Sequence, residues 1–374
     1  MTDKKRLGLI VNPIAGIGGR VGLKGSDGLD IQRRALELGA EPQAHQRAAK
    51  TLGRLQSLRG AVELITWAGE MGEEVARECG WQPVVVGSIP PDGTTAQDTR
   101  DAAQEMRRLG VDLLLFAGGD GTARDIYAAI GLDVPALGIP AGVKIHSGVY
   151  ATNPRSAGDL AARYLQGQLT RLQEKEVMDI DEEAIRQGRV SAQLFGYLNV
   201  PFERRFVQGQ KVGSAGENRA LASLISEFVY NRLSDDVTYV LGPGSTTKAI
   251  AAHLGLEKTL IGVDVLRNRQ WVGVDVNEAQ LLECVSRGPT KIVITPIGGQ
   301  GYLFGRGNQQ ISPRVITAVG ADNILVVGTR QKIYALSGRP LLVDTGDPEV
   351  DELLSGYVSV ITGYDERMVY PVAS

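Results

Sequence analysis

The sequence predicts an α/β protein with an N-terminal doubly wound parallel sheet and a second, glycine-rich α/β domain with a mixed sheet. Three observations support this class. Short apolar runs alternate with helix-like segments over the first 170 residues, which is the pattern of parallel βα units. Glycine is abundant, at 47 residues, whereas aromatic residues make up only 5%. Several apolar runs also end in glycine-rich loops, as in α/β enzymes that bind phosphates.

The elements of the first half follow from aliphatic runs that end at Gly, Pro or Asn. We expect strands over 7–11, 61–66, 84–86, 111–117 and 135–139, and helices near 28–39, 43–57, 95–108 and 123–130. The segment Thr152-Asn153-Pro154 predicts a helix start, with Asn153 as its cap and Pro154 in the first turn.

The second half continues the βα alternation. A charged stretch from Arg171 to Arg189 marks a boundary, so we predict domains over 1–170 and 171–374 and leave open whether the last strands return to the first domain. The chain is long enough for two such domains. We expect a helix over 246–254 and strands over 190–200, 237–241, 259–263, 291–295, 324–328 and 341–344.

Composition narrows the function classes. A net charge of -3 argues against a general nucleic-acid or membrane-surface binder. No run approaches the roughly 20 apolar residues of a membrane span. The N-terminus leads into a strand rather than an apolar signal segment, so we expect a cytoplasmic protein. The two cysteines and three histidines lack the spacing of a zinc site.

The most informative motif is Gly118-Gly119-Asp120-Gly121-Thr122, which follows an apolar strand and precedes a helix. Glycines let backbone amides approach a phosphate closely, and the helix N-terminus points free N–H groups to the same place. A carboxylate in such a loop commonly holds Mg²⁺ or accepts a hydroxyl proton. The alternative is a tight turn with a capping Asp120 or Thr122.

This motif resembles the signature of the NAD kinase and diacylglycerol kinase superfamily, and phosphofructokinases carry a close relative of it. The first strand agrees, because residues 7–11 end at Asn12-Pro13. The sequence is most similar to the ATP-NAD kinase-like branch, which includes the acetoin-catabolism protein X. That branch's patterns are found at 21–28, 242–248 and 305–310.

The resemblance implies an NAD kinase-type fold and phosphoryl transfer from ATP to a nucleotide-like acceptor, with NAD as the leading substrate, NADP as the product and Mg²⁺ as a cofactor. Asp120 would orient or deprotonate the acceptor hydroxyl, directly or through Mg²⁺. Gly118, Gly119, Gly121 and Thr122 would cradle phosphates. We also expect a homo-oligomer, which is common among enzymes of this type.

Other candidate contacts lie in the loops of the first half. Asn12 and Asp120 both lie at carboxyl ends of strands, where ligands of such sheets bind. Lys24 and Asp27 lie in the glycine-rich loop after the first strand, and simple solvation is the alternative for both. Lys144 is a candidate phosphate contact. Asp125 fits an acidic family position, but an acid in a first helical turn is also favourable by itself.

Two residues concern the identity of the phosphate acceptor. Asn199 matches the Asn of the Asn-Glu pair that holds ribose and adenine in NAD kinases, but Val200 replaces the glutamate. This departure weakens the case for NAD.

His146 lies in the loop after the fifth strand, where a structural and a catalytic histidine are both open alternatives.

Two glycine-rich loops of the second half contain further candidate ligand contacts. Gly244, Ser245 and Thr246 have the composition of a second phosphate nest, against a plain turn. Arg306 offers a planar fork for phosphate or carboxylate, and Asn308 offers an amide for a base edge. A structural ion pair is the alternative for Arg306.

The sequence is also compatible with two other functions. One is a nucleotide-binding regulatory protein without catalysis. The other is a kinase for a nucleoside, a sugar or a lipid, although no exposed apolar or basic segment favours a lipid.

Overall fold

The computed structural model describes residues 4–17, 21, 34–35, 37–40, 42–91, 93–142, 145–180, 192–203, 217–297 and 300–374. The chain divides into two compact units, which we describe separately. The first unit comprises Met1–Ile17, Gly25–Leu36 and Glu41–Gln208, and the second comprises Gly18–Lys24, Glu37–Ala40 and Gly209–Ser374. The first unit therefore extends beyond residue 170, the end of the first predicted domain.

The first unit is built on a five-stranded parallel sheet in the order β3-β2-β1-β4-β5. The strands are β1 (Lys5–Val11), β2 (Val62–Trp67), β3 (Val84–Val86), β4 (Leu113–Gly118) and β5 (Ala136–Pro140). This order confirms the predicted doubly wound sheet. The strand order reverses between β1 and β4, and ligands of doubly wound sheets bind beyond the carboxyl ends of the strands at such a switch point.

Five helices of the first unit fall within the described residues. They are α1 (Ala44–Arg54), α2 (Glu73–Glu78), α3 (Ala96–Arg108), α4 (Asp120–Ile130) and α5 (Pro154–Leu165). The side chain of Asn153 accepts a hydrogen bond from the Ser156 N–H (2.8 Å) and caps α5 as predicted. Helix α4 begins three residues earlier than predicted, at Asp120. The helix expected near 28–39 lies largely outside the described residues.

The sheet is covered on both faces, so β4 is buried along its whole length. Its neighbours in the core include the aliphatic residues of β1 and the apolar faces of α1 and α3. A continuous apolar run such as residues 113–117 is the expected sequence of a central parallel strand.

An antiparallel hairpin completes the first unit. It consists of β6 (Leu172–Ile180) and β7 (Ala192–Pro201), and β6 packs on α4. Arg124 of α4 forms an ion pair with Asp179 at 2.8 Å. The ring of Tyr127 occupies the space that a side chain at Gly196 would need.

The second unit contains a mixed nine-stranded sheet in the order β10-β9-β8-β11-β13-β15-β16-β14-β12, which confirms the predicted second α/β domain. Strands β8, β11, β13 and β15 are mutually parallel, and β16 runs antiparallel to β15. The strands are β8 (Thr238–Leu241), β9 (Asp264–Arg267), β10 (Gln270–Gly273), β11 (Thr290–Ile294), β12 (Tyr302–Phe304), β13 (Ile324–Val327), β14 (Leu341–Val343), β15 (Gly356–Gly363) and β16 (Glu366–Ala373).

Helices cover this sheet. They are α6 (Glu217–Glu227), α7 (Ser245–His253), α8 (Glu278–Val285), α9 (Pro313–Val319), α10 (Arg330–Tyr334) and α11 (Pro348–Leu354), with a π-helical turn at Phe228–Arg232. The last strands stay in this sheet. In the part of the chain that the structure describes, no helix has the length and apolarity needed to cross a bilayer.

The strand predicted over 259–263 is wrong: these residues form an irregular connection, and β9 begins at Asp264. Side chains form hydrogen bonds with the backbone groups that would pair with a neighbouring strand. Lys258 Nζ donates to the carbonyls of Thr259 and Gly262 (both 3.0 Å), and Asp264 accepts from the Thr259 N–H (2.8 Å). The short apolar run is thus held by hydrogen bonds from side chains rather than by the backbone hydrogen bonds of a sheet.

Candidate active site

The turn between β4 and α4 depends on close packing at its glycines. A Cβ on Gly118 would lie 2.4 Å from Thr122 Oγ1, and one on Gly119 would lie 3.1 Å from the Cα of Gly142. Gly118, Gly119 and Gly121 all keep negative φ values, so the motif uses the small size of glycine rather than its left-handed conformations. Gly119 is the N-cap, and Asp120 occupies the first turn of the helix.

Asn12 connects the end of β1 to this turn. Its N–H donates to the carbonyl of Ala117 (2.9 Å), and its Nδ2 donates to Thr122 Oγ1 (2.9 Å). Its Oδ1 accepts from the Ile14 N–H at 3.2 Å. The structure therefore brings Asn12 and the signature turn together, as expected from their strand ends, and the Asn12 side chain holds the two loops in contact.

The loop after β5 is the third part of the site. The N–H groups of Ala141 and Gly142 donate to the carbonyl of Gly118 (2.9 and 3.0 Å). The Tyr150 hydroxyl donates to the carbonyl of Gly119 at 2.5 Å. A Cβ on Gly16, in the loop after β1, would lie 2.2 Å from the carbonyl oxygen of Ala141. The loops that leave β1, β4 and β5 are therefore packed together at the switch point.

Asp120 is the buried carboxylate at this junction, with a side chain only 5% exposed. Its Oδ2 accepts from the His146 N–H (2.7 Å), and its Oδ1 accepts from the Ser147 N–H (3.0 Å). The His146 Nδ1 lies 3.3 Å from the same Oδ2. Hydrogen bonds to a carboxylate are stronger than those between neutral groups, and the N-terminus of α4 further favours the negative charge.

Ser147 anchors the other side of this loop. Its Oγ is within hydrogen-bond distance of the Met178 carbonyl (2.8 Å) and of the Met178 N–H (2.9 Å) on β6. The segment 145–148 is therefore held between the α4 N-terminus and the hairpin. Ser147, Tyr150 and Gly142 were not predicted as site residues, although all three lie in the segment that follows β5, which was the available signal.

Other predicted residues of the first unit serve the surrounding structure. Asp125 is buried and pairs with Arg100 of α3 at 2.5 Å. The Asn199 Nδ2 donates to the carbonyl of Leu132 at 2.8 Å, and Val200 is fully buried. Asp125 and Asn199 each have a protein partner, so their predicted ligand contacts stay predictions. Lys24, Asp27 and Lys144 lie outside the described residues.

The second unit has a polar cluster at the predicted Gly244-Ser245-Thr246 turn, where α7 begins. Gly244 has a φ of +128°, which favours glycine, and Ser245 is exposed. Lys332 of α10 donates to Thr246 Oγ1 at 2.8 Å, and Thr295, directly after β11, lies 3.3 Å from the same oxygen. Sequence reasoning missed both residues, because nothing in the chain order shows that α10 reaches this turn.

Arg306 and Asn308 both have protein partners. Arg306 is buried, lies 3.6 Å from the Asp344 carboxylate and stacks over the ring of Tyr302. Asn308 accepts from the Gly305 N–H (3.1 Å) and donates to the carbonyl of Leu303 (2.7 Å). This geometry matches the structural alternative for Arg306.

Asp120 is the residue predicted to contact Mg²⁺. Within the described ranges, no group of three or more His, Cys, Asp or Glu side chains is placed to hold a metal ion. Both oxygens of Asp120 accept hydrogen bonds from the 146–147 backbone. These residues do not fit a metal ion held by the protein alone.

Comparison with solved structures returns distant matches. A diacylglycerol kinase from Bacillus anthracis is 16% identical over 48% of this chain and 49% of its own, with a TM-score of 0.26. The match thus spans less than half of that kinase. A UDP-GlcNAc 2-epimerase from Neisseria meningitidis, bound to UDP-GlcNAc, is 12% identical over 91% of this chain and 78% of its own, with a TM-score of 0.24. No match to a curated protein was found.

Family comparison covers most of the chain. Residues 7–169 match the ATP-NAD kinase N-terminal domain, which includes the three loops of the candidate site. Residues 234–372 match the ATP-NAD kinase C-terminal domain, which spans the mixed sheet. The chain therefore belongs to the ATP-NAD kinase family.

Proposed function

We propose that this protein is a kinase that transfers the γ-phosphoryl group of ATP to a hydroxyl of a nucleotide-like acceptor, with NAD as the first candidate and NADP as its product. The observation that carries the proposal is Asp120, a buried carboxylate at the switch point whose oxygens accept the His146 and Ser147 N–H groups. Membership in the ATP-NAD kinase family supports the reaction class.

The binding part of the proposal rests on the start of α4. The first turn of a helix has N–H groups without intrahelical partners, which suit a phosphate. Gly118 and Gly119 keep side chains away from this point, and Gly142 packs directly against Gly119. We infer that ATP phosphates lie over this turn, with Asn12 and Thr122 holding its shape.

The chemical part requires positioning and charge stabilisation more than covalent catalysis. Asp120 supplies a fixed negative charge next to the inferred phosphate position, and we assign it to the acceptor side of the site rather than to the phosphates. When bound with ATP, Mg²⁺ would offset phosphate charge. We place it with the nucleotide.

A kinase for another acceptor is the second candidate. Val200 occupies the place of the family glutamate and is fully buried, so it offers no carboxylate to a ribose. The Asn199 amide donates to the Leu132 carbonyl. The acceptor would then be a different hydroxyl compound, such as a nucleoside or a sugar.

An acceptor panel tests the proposal. Purified protein with ATP and Mg²⁺ is assayed for ADP release with NAD, NADH, nucleosides, sugars and diacylglycerol, and the product is identified by mass. We expect release that depends on NAD and yields NADP. Release with another acceptor alone supports the second candidate. Binding of ATP or NAD without any ADP release would overturn both and indicate a regulatory protein.

A further inference from the structure

We propose that His146 is a catalytic residue, and that its Nε2 takes the proton of the acceptor hydroxyl while Asp120 orients the imidazole. This inference rests on the proposed kinase function and deepens it. It assigns the acid–base step to a histidine that the signature motif does not contain.

The imidazole is attached to the signature turn at two points. The His146 main-chain N–H donates to Asp120 Oδ2 at 2.7 Å, and the ring Nδ1 lies 3.3 Å from the same oxygen. The next residue, Ser147, is bonded to the other carboxylate oxygen. Because Asp120 lies in the first turn of α4, the ring is held beside the inferred phosphate position.

The contact with Asp120 also determines the tautomer. A carboxylate accepts but does not donate, so the Nδ1 that faces it must carry the proton. The Nε2 of the neutral ring then keeps a free lone pair. Within the described residues, Nε2 has no hydrogen-bond partner in the protein, and the His146 side chain is 16% exposed. We therefore place the acceptor hydroxyl at Nε2.

Asp120 is less suited to take the proton directly. Its side chain is 5% exposed, against 16% for His146, and each of its oxygens already accepts a backbone N–H. Its arrangement instead matches the orienting acid of an Asp–His pair, which holds the ring and stabilises the imidazolium as it forms.

The acceptor oxygen forms a bond to the γ-phosphorus of ATP as its proton moves to His146 Nε2. The bond between the γ-phosphorus and the bridging oxygen breaks, and its electron pair leaves with ADP. The imidazolium, paired with Asp120, then releases the proton to solvent. No oxidant or further reactant is required.

Two substitutions test this role. His146→Gln and His146→Asn remove the base, but Asn leaves an amide donor close to the position of Nδ1, where it can still bond to Asp120. We expect both to lower kcat for ADP release about 10²-fold or more, the range of acid–base effects, with ATP binding unchanged by calorimetry. His253→Gln, an exposed histidine at the end of α7, is the matched control and should keep full kcat.

Three results would overturn the proposal. Full kcat in His146→Gln excludes a proton transfer to the ring. Recovery of kcat in His146→Asn alone shows that His146 only supports Asp120. Loss of ATP binding together with kcat shows that it only holds the loop. The proposed function fails separately, since unmodified protein would then release no ADP with any acceptor.

Discussion

Two buried aspartates show how surroundings determine what a carboxylate does. Asp120 accepts backbone N–H groups and faces the loop of His146. Asp264 is fully buried 3.4 Å from the ammonium of Lys258 and also accepts from the N–H groups of Thr259 and Asp275. The first lies at a strand end where ligands bind, whereas the second holds the connection before β9. The sequence alone does not separate these roles.

The Lys258 pair makes stability depend on pH. Burial outweighs the nearby Asp264 and Asp275 charges and lowers the pKa of Lys258 from 10.5 to about 8. Between these values the unfolded chain binds a proton that the folded chain has lost, so the free energy of unfolding rises with pH. We expect it to rise by about 3 kcal/mol from pH 8 to 10.5, relative to Lys258→Met.

Urea unfolding of both proteins across this pH range measures the difference, in which groups distant from Lys258 cancel. At pH 7, Lys258→Met should itself cost about 3–5 kcal/mol, because it leaves the Asp264 charge unpaired. A difference that stays constant or falls as the pH rises would contradict the assignment.

At the scale of elements, the site is made by three loops whose contacts depend on small residues. Gly16 packs on Ala141, and Gly119 packs on Gly142. The sequence predicted the loops at the ends of β1, β4 and β5, because an apolar run that ends at Gly, Asn or Pro indicates the end of a strand. It did not predict which glycines meet, since such contacts join residues more than 20 positions apart and follow from strand order.

Gly142→Ala tests this packing. A Cβ at residue 142 would lie 2.6 Å from the Cα of Gly119, so the loops must separate. We expect the free energy of unfolding to fall by about 1–3 kcal/mol and ADP release to slow. Gly53→Ala in α1 is the matched control, since a Cβ there meets nothing within 4 Å. It should stabilise the protein by up to about 1 kcal/mol. Equal stability of the two variants would argue against the loop contact.

At the scale of the whole molecule, the predictable part is the α/β class and the βα order of the first unit. The parallel strands there are continuous apolar runs, which the sequence displays directly. The sequence also predicted β8, β13 and β14, which are short apolar runs. It did not predict the short β9, β10 and β12, or β15 and β16, which both start with an exposed stretch. Short or half-exposed strands give weak periodicity.

The candidate site was predicted to a similar extent. Asp120, Asn12 and the signature glycines were predicted as site residues because each lies at the end of a strand that the sequence indicates by an apolar run. Lys332 and Thr295 could not, since folding brings them to Thr246 from distant elements. Arg306 and Asn308 have the composition of a binding loop, but Arg306 pairs with Asp344 and Asn308 bonds within its own turn, so their ligand contacts stay predictions.

The central claim is that phosphoryl transfer depends on Asp120, and kcat of Asp120→Asn tests it most directly. The amide oxygen can still accept from Ser147, so the fold should persist, with a melting temperature within a few degrees of the original. Asp133→Asn, at an exposed ion pair beyond the other end of α4, is the matched control. We predict that ADP release falls about 10²-fold or more in Asp120→Asn and is unchanged in Asp133→Asn. Undiminished turnover in Asp120→Asn would contradict the claim.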